Sequence, residues 1–442
     1  MRVVVLGGGS TGEHFVGALR RHDQDAEIVL VERRLVGGEC SYYACMPTKT
    51  MLRAAELSSS LDRAPGLAPE RPQADGVWEW RDWMTSDWDD SGQLPWLESQ
   101  RARLVRGDAH VVRPGVVAVD GEEIPYDRLV VATGSEPLVP PVEGLAGLEF
   151  WTNREATSTH EIPASLAVMG GGPVGSELAQ FFARLGSRVT VVERGERLLG
   201  RVHADAGDLL TEIFRSEGID VRTGVGVERV EAGFVLHLSD GSAVEAERLL
   251  VATGRTPNAA GLGLERLGVT VGRRGVEVDE RLQAAENVWA IGDVTGVALF
   301  THVGKYQARV AAAAMCGRDA KADYRAIPAG IFTDPEIGTV GRTDDDLVSA
   351  RLELDAVPRL STYEKPARDG FVRLFADPAQ RILVGAVTVG PQAAEWLGQL
   401  TLAIRAATPL DVLLDTIQPY PTFSEGIFFA LRELEDALTD AR

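Results

Sequence analysis

The chain has 442 residues, 45% of them apolar and 25% charged, with a formal net charge of −20. That length exceeds one ordinary core, so two to four domains are expected, and the composition is that of a soluble globular protein. The acidic field excludes nucleic acid as a partner. The lack of a long apolar run excludes membrane insertion. With no basic, apolar leader the expected compartment is the cytoplasm, where structural disulfides are rare.

Residues 2–6 (RVVVL) read as a buried strand. Gly7-Gly8-Gly9-Ser10-Thr11-Gly12 and an amphipathic segment follow, then a second strand, 27–32 (EIVLVE), ending in Glu32. Next comes GGECSYYACMPTKT (37–50), which holds two of the three cysteines, Cys40 and Cys45, and one of only four lysines, Lys49. Four intervening residues on a helix would put both sulfurs near one face. In a reducing compartment such a pair is redox-active or metal-binding. Zinc needs four ligands. The third cysteine, Cys316, is remote and the seven histidines form no ligand-spaced cluster, so no metal is expected.

The stretch 76–96 holds five of the eight tryptophans, Trp78, Trp80, Trp83, Trp88 and Trp96. It reads as an amphipathic helix and loop packing their rings on the core. The functional alternative is an aromatic wall over an acceptor channel. Residues 126–134 (YDRLVVATG) and 247–254 (ERLLVATG) are two versions of one strand and small-residue turn, ending at Thr133-Gly134 and Gly254.

Between them the opening pattern recurs: 166–169 (LAVM), Gly170-Gly171-Gly172-Pro173-Val174-Gly175, a helical stretch, and 188–193 (RVTVVE) ending in Glu193. The acid falls 20 residues after the last glycine in the first copy and 18 in the second. Glycines let the backbone turn tightly and approach a pyrophosphate at a helix N-terminus, and the acid accepts from a ribose diol. Two copies in full strand–helix–strand context point to two dinucleotides. Residues 287–294 (NVWAIGDV) place Gly292-Asp293 just past a buried strand, where the acid reaches a ligand hydroxyl or serves as a helix cap. Beyond about residue 325 the pattern changes to α+β. Residues 371–375 and 382–389 read as hairpin strands, and helices are expected near 391–407 and 410–417.

These motifs together resemble the class I pyridine nucleotide-disulfide oxidoreductases, which include glutathione reductase, dihydrolipoamide dehydrogenase and mercuric reductase. That family carries GGTCxNxGCxPSK, and this chain has GGECSYYACMPTK; the segment 331–341 (IFTDPEIGTVG) is similar to the family's dimerisation domain. The resemblance implies an α/β fold with two Rossmann-like domains and a C-terminal α+β dimerisation domain. The boundaries would be an FAD domain at 1–150 and 272–322, a nucleotide domain at 151–271 and an interface domain at 323–442.

It also implies FAD bound by Gly7, Gly9, Gly12, Glu32 and Asp293, with Thr133, Gly134, Gly254 and Gly292 at the cofactor turns. NAD(P)H would be bound by Gly170, Gly172, Gly175 and Glu193. Cys45 would lie against the flavin, Cys40 would meet the acceptor, and Lys49 and Glu177 would form the ion pair beside the flavin. A thiolate beside an ammonium is stabilised. Glu193 favours NADH, since a carboxylate repels a 2′-phosphate. Arg194, Arg197 and Arg201 follow it and would suit NADPH, or form a solvated face.

The chain departs from the family at its end, where residues 418–425 read QPYPTFSE. Glu425 is in place, but Tyr420 stands where the disulfide reductases and dihydrolipoamide dehydrogenase of the family have a histidine from the partner subunit. Mercuric reductases carry a tyrosine at a similar place, where it lines the metal path. No histidine follows His302. A phenol and an imidazole differ as proton carriers by ~3.5 pK units, or ~5 kcal/mol. Efficient reduction of lipoamide or glutathione disulfide is therefore not expected. No cysteine follows Cys316, so the metal-receiving pair of mercuric reductases is missing too. The reading is a homodimeric oxidoreductase passing electrons from NAD(P)H through FAD and a Cys40–Cys45 disulfide to a small acceptor, whether a disulfide, persulfide, metal ion or quinone. The alternatives are a diaphorase using FAD directly, a lipoamide or mercuric reductase, and a non-catalytic FAD scaffold.

Overall fold

The computed structural model describes residues 1–68 and 70–440. Its contacts divide into two units. The first comprises Met1–Thr48, Glu79–Leu138 and Gly254–Asp323, and the second Lys49–Trp78, Val139–Thr253 and Tyr324–Arg442.

The first unit is built on a six-stranded sheet. Its order is Gln283–Ala285, Val288–Ala290, Arg128–Val131, Arg2–Leu6, Glu27–Glu32 and Ala102–Arg106. All pairs are parallel except the first. The apolar run of the opening strand is explained by burial on both faces, as parallel sheets require. Val3 and Val5 pack with Phe15 and Leu19 of the helix Ser10–His22 and with Ala308 and Ala311 of the helix Thr301–Met315. Val4 and Leu6 point the other way, into a cluster with Val111 and Val117 of a three-stranded antiparallel layer.

The second unit repeats this plan. Its parallel sheet has the order Asp220–Thr223, Arg188–Glu193, Ser165–Met169, Arg248–Val251. Leu166 and Val168 meet Leu178, Phe181 and Phe182 of the helix Pro173–Arg184. Ala167 and Met169 meet Leu236 and Leu238 of another antiparallel layer. A five-stranded antiparallel sheet follows, in which the hairpin Phe371–Asp377 and Ile382–Gly390 forms the centre. The helices Ala393–Arg405 and Ser424–Asp440 cover it.

The second unit also buries a charge network. Asp334 meets Arg184 at 2.8 Å and Arg63 at 3.1 Å, Arg63 meets Glu364 at 2.6 Å, and Glu217 is shared by Arg184 at 2.8 Å and Arg368 at 2.7 Å. Burial works to raise the Asp334 carboxyl, but the three guanidiniums outweigh it and hold the group below its ordinary value.

The tryptophan-rich stretch departs in part from the packing expected of it. Trp78 is buried edge-on to Phe181, but Trp80 and Trp83 on the same helix, Ala74–Met84, are 43% and 70% exposed. The helix buries Arg81 completely instead, with its guanidinium 2.6 Å from Asp82 and over the Trp88 ring. A buried charge needs such partners, and meeting that need turns the neighbouring rings outward.

Candidate functional site

The first glycine turn is shaped by close backbone contacts. Gly7 has φ +104°, and a Cβ there would lie 2.3 Å from the Ala132 carbonyl oxygen. A Cβ on Gly12 would lie 2.0 Å from the Gly7 oxygen. Gly9 precedes the helix Ser10–His22 and no side chain caps it, so the first amides remain available to an anion. Glu32 is pinned by its own neighbourhood. One oxygen accepts from Gly8 N–H and the other from Arg34 N–H, both at 2.7 Å. Gly37 N–H then donates back to the Gly8 carbonyl at 2.9 Å.

The second turn repeats each contact. Gly170 has φ +107°, and a Cβ on Gly175 would lie 2.0 Å from its oxygen. Glu193 accepts from Gly171 N–H at 2.7 Å and Gly195 N–H at 2.6 Å, and Leu199 N–H donates to the Gly171 carbonyl at 2.9 Å. A Cβ on Gly172 would meet nothing within 4 Å. Open space, uncapped amides and a fixed acid suit a dinucleotide at both turns.

In the first unit the two ATG turns are joined. Ser135–Pro137 pairs antiparallel with Arg255–Pro257, and Thr133 Oγ1 donates to the Asn258 carbonyl at 2.6 Å. Leu138 N–H donates to the Gly254 carbonyl at 2.9 Å, and Asn258 N–H to the Gly134 carbonyl at 2.9 Å. Asp293 does not cap its short helix, Gly292–Thr295; its carboxylate accepts from Ser135 Oγ at 2.6 Å. Arg255 donates to Ser135, stands 3.5 Å from Glu39 and 4.0 Å from Asp293. Burial raises the Asp293 carboxyl above its ordinary value, against the pull of Ser135 and Arg255. Gly292, at φ +80°, leaves room for Thr11, whose hydroxyl a Cβ would approach to 2.9 Å.

The expected single helix through both cysteines is two helices. Cys40 lies in Gly38–Tyr42 and Cys45 opens Cys45–Leu61. Pro47 has no N–H to give the Tyr43 carbonyl, so a continuous helix cannot form there. The break still leaves the sulfurs together. Both are free thiols, and Cys45 and Thr301 are near enough to Cys40 to influence its ionisation. Thr301 Oγ1 lies 3.4 Å from Cys45 Sγ. Cys45 and then burial push the Cys40 thiol up, while Thr301 and Lys305 pull it down.

In the second unit Lys49 Nζ lies 2.7 Å from Glu177 Oε2 and 4.8 Å from the centre of the Phe332 ring. The other Glu177 oxygen accepts from Phe332 N–H at 2.9 Å. Lys49 follows Cys45 by one turn of the same helix, and Glu177 follows Gly175 on the helix Pro173–Arg184. Tyr420 is 71% exposed, while Glu425 has one buried oxygen, Oε2, without a hydrogen-bond partner.

Sequence reasoning missed Thr301, Lys305, Ser135 and Arg255. Thr301 is 256 residues from Cys45, and no local pattern marks that pairing. Among the described residues no group of three or more His, Cys, Asp or Glu side chains could hold a metal ion, and no helix is long and apolar enough to cross a membrane.

Residues 1–316 match the pyridine nucleotide-disulphide oxidoreductase family, and 327–430 match its dimerisation domain. The mercuric reductase of Staphylococcus aureus is 32% identical over 442 residues, 96% of this chain and 80% of that protein. The dihydrolipoyl dehydrogenase of Thermus scotoductus is 34% identical over 454 residues, 98% of this chain and 97% of that protein. The structure of LpdA from Mycobacterium tuberculosis superposes with a TM-score of 0.88 at 27% identity, covering 98% of this chain and 99% of that one. The Cu(II) complex of the HOCl-induced flavoprotein disulfide reductase RclA from Escherichia coli gives 0.85 at 25% identity, covering 98% of each chain. With two glycine turns, a thiol pair and a full-length match, the chain belongs to the pyridine nucleotide-disulphide oxidoreductases, FAD-containing enzymes that use NAD(P)H.

Proposed function

We propose that the chain takes a hydride from NAD(P)H by way of FAD, opens a disulfide between Cys40 and Cys45, and passes two electrons from Cys40 to a small-molecule acceptor. The observation that carries this reading is the pair of free thiols, Cys40 and Cys45, with Cys45 Sγ 3.4 Å from the Thr301 hydroxyl, in the unit that also holds the first glycine turn. FAD, when bound, accepts the hydride and releases its two electrons to the disulfide.

Gly7, Gly9, Gly12, Glu32 and Asp293 hold FAD, with Thr133, Gly134, Gly254 and Gly292 shaping the turns around it. Gly170, Gly172, Gly175 and Glu193 hold the nicotinamide nucleotide. Glu193 disfavours a 2′-phosphate, so NADH is preferred. Segments 1–150 and 272–322 form the FAD part, 151–271 the nucleotide part, and 323–442 the interface of a homodimer in which Tyr420 and Glu425 serve the other copy's site. Glu177 keeps Lys49 in one orientation. Two electrons entering the sulfur–sulfur bond leave two thiolates; Cys40 attacks the acceptor and Cys45 then closes the bond again.

Relatives named mercuric reductase and dihydrolipoyl dehydrogenase suggest metal or lipoamide as acceptors. This chain has Tyr420 in place of a proton-carrying histidine and no cysteine after Cys316. Its acceptor is therefore a disulfide, persulfide, metal ion or quinone that needs neither. A second reading, direct quinone reduction by the flavin, is favoured by the exposed rings of Trp80 and Trp83 in the same unit as the thiols. Turnover with a panel of acceptors separates the two. Cys45→Ser is expected to cost at least about 1,000-fold if the thiols carry the electrons, and full retention refutes that path. In the same panel Tyr420→His should raise lipoamide reduction about 100-fold.

A further inference from the structure

Two carboxylates of the first unit, Glu39 and Asp293, share one guanidinium. Arg255 stands 3.5 Å from Glu39 Oε2 and 4.0 Å from Asp293 Oδ2. Ser135 fixes it between them. Arg255 Nε donates to Ser135 Oγ at 2.7 Å, and its Nη2 donates to the Ser135 carbonyl at 2.8 Å. A guanidinium has no acceptor, so the Ser135 hydroxyl must accept from it. The one hydroxyl hydrogen then goes to Asp293 Oδ2, 2.6 Å away. The chain therefore runs one way, from Arg255 to Ser135 to Asp293, and a guanidinium that keeps its charge cannot reverse it.

The consequence falls on Asp293. Its Oδ2 receives a hydrogen and so stays an acceptor. Its Oδ1 makes no hydrogen bond among the described residues, and is the oxygen left for a ligand hydroxyl. A proton added to this carboxyl must go to Oδ1, where it exchanges a charge-assisted bond for a weaker neutral one. The charged groups at Asp293 are Arg255, which favours the carboxylate, and Glu39, which opposes it. The elements packed on the short helix Gly292–Thr295 add no others. The helix Ser10–His22 brings Thr11 against Gly292, the helix Thr301–Met315 brings Gln307 to the Gly292 N–H at 2.6 Å, and the strand Gly275–Val276 has no titratable side chain. Residue 39 is threonine in the family pattern and glutamate here, so the opposing charge belongs to this chain.

We propose that Ser135 and Arg255 are positioning residues that hold Asp293 as an acceptor toward FAD, and that Glu39 is a counterweight on the same guanidinium, drawing its charge toward the segment that carries Cys40. This rests on the assignment of Asp293 to FAD proposed above and adds the groups that keep that acid ionised. The grip on FAD then depends on pH in a fixed sense. The carboxylate is the binding form, so retention is full above the Asp293 titration and weakens as pH falls through it. Losing the Ser135 hydrogen bond makes the carboxylate easier to protonate, and the weakening begins at higher pH. Losing the Glu39 charge makes it harder to protonate, and the weakening begins at lower pH.

The test is the rate of FAD release from diluted holoenzyme between about pH 4 and pH 8, read as flavin fluorescence. The unaltered enzyme should release FAD about tenfold faster at the acid end. Ser135→Ala should move the midpoint of that rise up by about one pH unit, and Glu39→Gln should move it down by about half a unit. Glu39→Gln alone carries the test if Ser135→Ala does not retain FAD. Unmoved midpoints overturn the proposal, as do shifts of the same sign in the two variants, which mark a general loosening of the site. Asp293→Asn should release FAD quickly at every pH. An acid rise that persists in Asp293→Asn overturns the assignment of Asp293 itself, whereas a rise that Asp293→Asn removes but the other variants leave in place overturns only the roles of Ser135, Arg255 and Glu39.

Discussion

The two glycine turns, one in each unit, are built from the same set of contacts. Each opens with a glycine of positive φ, each has its last glycine against the first one's carbonyl, and each fixes its acid with two backbone N–H groups. They differ in what the chain does next. After Glu32 it returns through Gly37 and Gly38, and a Cβ on Gly38 would come within 2.7 Å of Gly9. Those glycines let the segment leading to Cys40 lie directly on the first turn. After Glu193 the return is made by Leu198 and Leu199, and the space before Gly172 stays open. On the function proposed above, the same local chemistry serves FAD at the first turn and the nicotinamide nucleotide at the second.

The hardest test of this parallel is a matched pair, Gly12→Ala and Gly175→Ala. Each puts a methyl group 2.0 Å from a backbone oxygen, a clash worth about 3 kcal/mol. Gly12→Ala should yield protein without FAD, seen as loss of flavin absorbance. Gly175→Ala should keep FAD while its reduction by NADH slows about 100-fold in stopped flow. Equal loss of FAD in both would break the distinction between the turns.

A smaller effect is expected from the acids. Glu193→Ala should reduce the NADH over NADPH ratio of kcat/KM about tenfold, whereas Glu32→Ala should leave that ratio unchanged and weaken FAD retention. An NADPH preference already present in the unaltered enzyme would refute the role given to Glu193.

The smallest effect concerns two buried carboxyls, Glu13 in the first unit and Glu336 in the second, both pushed up to about 7 mainly by burial. Each binds its proton more tightly folded than unfolded, where 4.5 applies. Below pH 4.5 both states are protonated and nothing is lost; stability then falls as pH rises to 7, and the full penalty remains above it. Glu336→Gln should therefore raise Tm by about 2 °C at pH 8 and leave it unchanged near pH 4. A gain of the same size at both pH values would show that charge is not the cause.

Much of this was legible in the sequence because its causes are local. Glycine spacing, the apolar strands and the closing acids each encode their own geometry, and Gly292-Asp293 followed from the strand before it. Contacts across the fold were not legible. Nothing near Thr301 or Lys305 announces the cysteines, and Ser135 and Arg255 meet Asp293 only because two strands pair. The break between Cys40 and Cys45 was readable from Pro47 but was masked by the short spacing. Trp80 and Trp83 lie outside the core because their helix serves Arg81 first.

The network around Asp334 holds three guanidiniums and three carboxylates, Arg63, Arg184 and Arg368 with Glu217, Asp334 and Glu364. Six formal charges cancel, so at a distance the cluster acts as an electrically neutral body and projects little field. Neutralising any one member would turn it into a buried monopole, felt by every titrating group in its surroundings. Conservative-looking changes here would therefore alter electrostatics well beyond the side chains they touch.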